Sequence, residues 1–258
     1  MIGTMIRTIL SAILALTALT VAAPGRAEGW TVVYEEEWVE EVPVSASRFV
    51  SPLQAQVEHE AVAAYGPFRV IDAHTAALVG TTDSRSPAQL AAMLAAWPQI
   101  DRLDFVEAPG TLDDLANLKM GRLIRERGIA TSVSAGGSVR SGAVELFLAG
   151  ADRTIAPGAE FAVHGWLDYD GRGADDYPPG SPEHQRYLDY YTDMGMTRAE
   201  AARFYAMTNS VPFEDALWLD GVEMARWMGQ EVVDRPATML AADDVPHIVY
   251  LDVGALVK

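Results

Sequence analysis

Two residues 23 positions apart, Ser141 and His164, are of the types and in the settings that nucleophilic acyl transfer needs. Ser141 follows the Gly-rich turn Ala135-Gly136-Gly137-Ser138 and opens a helical pattern over 141–148 that Ala149-Gly150 closes. At such a position the unpaired backbone N–H groups and the helix dipole favour a developing oxyanion, and the N–H of Gly142 is one such donor. Gly110 and Thr111 lie at the mouth of another strand-to-helix turn, Ala108-Pro109-Gly110-Thr111, where a second N–H can face the same point. A Ser hydroxyl attacks only when a base takes its proton. His164, at the end of the β-type pattern 161–164, is the base that the spacing offers: a helix, a turn and a strand lie between the two. Taken alone, a Ser at a helix start is simply a favoured N-cap.

The elements that must position these residues alternate as in an α/β protein. Apolar β-type runs at 76–81, 103–106, 129–133 and 153–155, with 161–164, alternate with helical patterns at 88–97, 112–127 and 141–148. Ser86-Pro87 reads as N-cap and N1 of the first helix, Pro98 stops it, and Gly128 reads as the C-cap of the second. Leu112, Leu115, Leu118, Leu123 and Ile124 form a stripe expected to face the core. Residues 168–182 hold three Gly, three Pro and four Asp with Tyr169 and Tyr177, and read as a surface loop able to act as a lid. Helices over 182–194, 198–208 and 221–228 follow, and 231–234 and 248–253 read as closing strands.

With 258 residues, 50% hydrophobic and 9% aromatic, the chain can bury a sizeable core as one domain with short extensions. The absence of Cys excludes a disulfide framework, thiolate catalysis, Cys-ligated zinc and Fe–S clusters. Arg7, the uncharged run 8–23 and the small residues up to Ala27 read as a secretory signal peptide over 1–27, an uncleaved anchor being the competing reading. A lipoprotein anchor is excluded, since no Cys follows. Losing Arg7 and Arg26 takes the 19 basic residues to 17 against 36 acidic, net −19, so nucleic acid and anionic membranes are poor partners. Residues 28–67, with the acidic run 35–41, read as an N-terminal extension to a domain over 68–258. The expected location is across the inner membrane, in the periplasm, without stable membrane insertion after signal cleavage.

The block 106–166 resembles the Clp protease/crotonase superfamily, and within it the secreted Clp-like serine hydrolases. Three segments carry the resemblance: the strand, Ala108-Pro109-Gly110-Thr111 turn and helix ending in GRLIRERGIAT; SVRSGAVELFLAG; and PGAEFAVHGW. The resemblance extends over 76–234. It implies repeated ββα units around a mostly parallel sheet with helices packed on its faces. It also implies a serine hydrolase, most simply a peptidase, with Ser141 as nucleophile, His164 as base, and Gly110, Thr111 and Gly142 forming the oxyanion hole. The family's acid aligns with Ala216, so Asp215 by a one-residue shift, or Glu214, would orient the imidazole; a Ser–His dyad with another polar orienter is the alternative. Thr111 stands where the family has Gly, Ala108 where it has Ser, and Arg140 where small residues are usual. These departures keep open a second reading, a catalytically inactive Clp-like fold serving as a binding or assembly module of the cell envelope. Acyl-CoA chemistry is disfavoured by the sparse basic residues and the signal segment.

Other candidates are weak. His59, His74, His184 and His247 lack comparable context, Asp72 and His74 are two ligands without a third, and Asp175-Asp176 lack the spacing of a calcium loop. Neither a metal nor a cofactor is expected; a peptide or protein substrate is, and by analogy a homo-oligomer. Trp166, Tyr169 and Tyr177 either line a substrate groove or cover a core edge or subunit interface.

Overall fold

A computed structural model describes residues 52–230. The expected signal segment, the acidic run and the closing strands 231–234 and 248–253 lie outside the described residues. The described residues open with α1 (Pro52–Glu60), β1 (Ala63–Tyr65), β2 (Phe68–Val70), β3 (Thr75–Leu78) and α2 (Ser86–Ala96). A strand–strand–helix unit then repeats: β4 (Arg102–Phe105), β5 (Glu107–Ala108) and α3 (Asp114–Glu126), followed by β6 (Ala130–Val133), β7 (Ser138–Arg140) and α4 (Ala143–Leu148). A third strand pair, β8 (Arg153–Ile155) and β9 (Glu160–Val163), leads into a long connection with one 3-10 turn, Ala174–Asp176. Then come α5 (Pro182–Asp193), α6 (Arg198–Thr208), β10 (Leu217–Asp220) and α7 (Gly221–Trp227).

The fold is mixed α/β with mostly parallel strands, built from the ββα repeats the sequence implies. The first strand of each unit joins a six-stranded sheet, β1-β2-β3-β4-β6-β8, and the second joins a four-stranded sheet, β10-β9-β7-β5. From β3 to β8 and from β5 to β9 the pairing is parallel; β1–β3 and β10 are antiparallel. A single parallel bridge, Thr82 to Thr111, gives the unit of β3 and α2 a one-residue counterpart in the small sheet.

Local chemistry fixes the helix bounds. Asp113 caps α3 by accepting the Ala116 N–H, and Gly128 takes φ +66° just after its end, the left-handed conformation that glycine supplies without a Cβ penalty. Between the layers, Phe147 lies edge-on to both Phe105 and Phe161 at 5.7 and 5.4 Å. Burying such rings contributes roughly 2–3 kcal/mol each.

Four features differ from the sequence reading. Residues 52–67, read as part of an extension, include α1 and the strand β1, which pairs with β2. The strands β2, β5, β7 and β10 were absent from the pattern. The helix placed at 141–148 starts at Ala143, because Ser141 ends the strand segment instead. Leu112 and Leu115 are 76% and 60% exposed, since the stripe's first two members precede or open α3.

Candidate active site

The small sheet gathers the candidate residues at one edge. In the parallel ladder, Ser138 pairs with Glu107 on one side and with Glu160 on the other, and Val139 with Ala108 and Phe161. The chain therefore leaves three adjacent strands at the same edge, with Gly110-Thr111, Ser141-Gly142 and His164 as the exit residues. β10 runs antiparallel with Leu217 opposite Val163, so its N-terminal end brings Glu214, Asp215 and Ala216 to that edge too. Carboxyl ends of parallel strands are where α/β proteins place their ligands, because the loops there are free to vary.

Ser141 has φ 49°, the only positive value of a non-glycine among the described residues. A side chain there costs about 1–2 kcal/mol, and such strain is held only where the surroundings dictate it. Here the Ser141 N–H donates to the Ala162 carbonyl at 2.8 Å, and Gly110 presses from the other side. Gly110 has φ +134°, and a Cβ on it would lie 2.9 Å from Ser141 Cβ. The positive φ of this turn thus falls on Gly110 and not on Thr111. A Cβ on Gly142 would meet Thr111 Cγ2 at 2.5 Å, so the two turns are in contact.

Buried polar groups lock that contact. Thr82 donates its N–H to the Gly110 carbonyl at 3.0 Å, and its Oγ1 lies 3.2 Å from Asn117 Oδ1. Asn117 Nδ2 donates to the Gly142 carbonyl at 2.6 Å. Thr82 and Asn117 are almost fully buried and were not singled out in the sequence, where they look like ordinary polar residues. Arg140, unexpectedly large for its position, pairs with Glu107 at 2.7 Å and ties β7 to β5 directly behind the two turns.

His164 Nδ1 lies 2.9 Å from the Gly165 carbonyl oxygen. A carbonyl only accepts, so in the neutral imidazole Nδ1 carries the proton and Nε2 the lone pair that a general base requires. Phe213 packs edge-on against the ring at 4.8 Å. No hydrogen bond joins Ser141 Oγ to His164, but both line one cavity of about 670 Å³. Glu214 and Asp215 are exposed, and neither makes a hydrogen bond or ion pair with His164 among the described residues.

The cavity wall holds groups that the sequence reading passed over. The Asp114 carboxyl accepts the Tyr187 hydroxyl at 2.7 Å, and Glu145 accepts that of Tyr191 at 2.7 Å. Burial raises both carboxyls, Glu145 to about 7, and pushes both tyrosines up as well. The signal for Glu145 was a lone acid in the otherwise apolar helix Ala143–Leu148. Trp166 stacks on Tyr187 at 5.8 Å and donates its indole N–H to Tyr205, which also meets His184 Nδ1 at 2.8 Å. Trp166 and Tyr177 line the cavity, and Leu112, Leu115, Tyr169 and Phe213 form an exposed apolar rim. Asp72 accepts the N–H groups of His74 and Thr75, and Asp176 that of Gly173, so these acids serve turns. Among the described residues no three His, Cys, Asp or Glu stand together as metal ligands.

No family model matches the sequence, and no curated protein does. Among solved structures the chain is similar to the membrane-bound stomatin-specific protease 1510-N. A mutant of that protein in complex with a substrate peptide is 17% identical with TM-score 0.46, over 63% of this chain and 75% of that one. A second mutant is 16% identical with TM-score 0.45, over 63% and 79%. A mutant of ClpP1 from Listeria monocytogenes is 15% identical with TM-score 0.41, over 60% and 88%.

Proposed function

We propose that the chain is a serine hydrolase, a peptidase by its sequence resemblance, acting through an acyl-enzyme on Ser141. The observation that carries this reading is the convergence at one sheet edge of a backbone-strained Ser, a contacting Gly turn and a His whose Nδ1 meets the Gly165 carbonyl. Ser141 Oγ attacks the substrate carbonyl, His164 Nε2 takes its proton and returns it to the leaving group, and water then cleaves the ester. The amides of Thr111 and Gly142, with Gly110 shaping the turn, stabilise the oxyanion. The Gly165 carbonyl orients the imidazole; Asp215 or Glu214 would do so only by displacing it. Secretion to the periplasm is part of the proposal and rests on the sequence of 1–27.

A second reading, a non-catalytic binding or assembly module, is favoured by the lack of a Ser141–His164 hydrogen bond and of a carboxylate on the imidazole. Mixing the full chain with p-nitrophenyl acetate separates the two. A hydrolase releases a burst approaching one equivalent of nitrophenol that Ser141→Ala abolishes, whereas equal slow release by both proteins supports the module.

A further inference from the structure

We propose that Arg186 receives a carboxylate of the substrate inside the cavity that holds Ser141. For the reaction that follows, this rests on the hydrolase reading; for binding it does not.

Arg186 lies on α5, one position before Tyr187 and three after Glu183, and all three line the cavity. Almost every other polar group of that wall has a partner within the protein. Tyrosine hydroxyls cap Asp114 and Glu145, Tyr205 joins Trp166 and His184, and Asp168 holds Tyr177 and Arg172. The half-buried Arg186 guanidinium makes no hydrogen bond or ion pair among the described residues. Other sheltered arginines are bound: Arg140 to Glu107, Arg125 to the carbonyls of Gly150 and Met194, and Arg153 to that of Leu148.

A guanidinium presents a planar fork of donors that matches a carboxylate. Asp114 feels Arg186 only from beyond ion-pair distance, and burial still leaves its carboxyl raised, so it does not fill that role. A second unfilled group adds direction. Asn209 Nδ2 donates to the Tyr205 carbonyl at 2.8 Å, while its buried Oδ1 has no partner and is free to accept an N–H from a ligand. The C-terminal residue of a peptide offers both a carboxylate and an N–H; an Asp or Glu side chain within a peptide offers the same carboxylate. In either case the C–N bond at the attacked carbonyl breaks, the amine leaves with the proton held by His164, and water restores the Ser141 hydroxyl.

The test is calorimetric titration of the full-chain Ser141→Ala variant with two matched sets of N-acetylated peptides. One set differs only in a C-terminal acid or amide, the other in an internal Glu or Gln under a C-terminal amide. The carboxylate member of one set should bind about tenfold or more tightly than its neutral partner. Adding Arg186→Met should remove that difference while leaving the neutral peptide unchanged, and Arg186→Lys should restore part of it. A response in the first set assigns the C-terminal carboxylate, a response in the second the side chain. Equal or undetectable binding across both sets, or a preference that survives Arg186→Met, overturns the proposal. A preference that depends on Arg186 in a wild-type chain without turnover would sink the hydrolase reading alone.

Discussion

Gly110 and Ser141 stand side by side where two neighbouring parallel strands end, so close that a methyl group on Gly110 would lie 3.3 Å from the Ser141 hydroxyl oxygen and 2.9 Å from its Cβ. Gly110→Ala must therefore displace the hydroxyl or its turn, as well as strain a backbone at φ +134°. The expected outcome is a loss of acylation rate of about 10²-fold or more, comparable to removing an oxyanion donor. Circular dichroism should still report a folded chain, and stopped-flow acylation rates check the prediction.

Replacing Ser141 by Gly should abolish acylation and raise stability. Glycine accepts φ 49° without the Cβ penalty, a relief of about 1 kcal/mol set against glycine's greater freedom in the unfolded chain. Urea unfolding monitored by tryptophan fluorescence should show a midpoint no lower than that of wild type. A clear fall would mean that the hydroxyl is held there for structural reasons.

Glu145 makes stability depend on pH in a defined window. Its carboxyl is raised from 4.5 to about 7 by burial, so the native state keeps a proton that the unfolded chain has already lost. Stability attributable to this residue is therefore intact below pH 4.5 and declines as pH rises to about 7, by an amount on the order of 3 kcal/mol. Melting temperatures of wild type should fall across that window relative to those of Glu145→Gln. Parallel curves would show that the carboxyl is not buried in solution.

Because the Gly165 carbonyl occupies His164 Nδ1, Asp215→Asn and Glu214→Gln should each change the acylation rate by less than about threefold. Losing a triad acid costs far more, about 10⁴-fold where it has been removed. A loss of that order in either variant would assign it the orienting role.

The repeating order of elements was legible because apolar runs are followed by helical patterns: Gly128 marks the end of α3 in sequence as in structure, whereas its start, read at Leu112, lies at Asp114 behind the Asp113 cap. Ser141, His164 and Gly110 were legible from their turns. The division of each strand pair between two sheets was not, since β5 and β7 have only two and three residues. Leu112 and Leu115 share a helical period with Leu118, and no sequence rule says that a stripe ends where a cavity mouth begins. The cavity wall is formed by residues far apart in the chain: Asp114 and Tyr187 are 73 positions apart, and Glu145 and Tyr191 are 46 apart. Such pairings depend on how α3, α4 and α5 pack together, which local patterning does not encode.

Labelling the full chain with a fluorophosphonate, read by intact mass beside Ser141→Ala and His164→Gln, reports whether Ser141 is activated. A single adduct is expected on wild type, none on Ser141→Ala, and labelling at least about 10²-fold slower on His164→Gln. A folded wild-type chain that stays unlabelled, or an adduct that persists on Ser141→Ala, would mean that Ser141 is not an activated nucleophile.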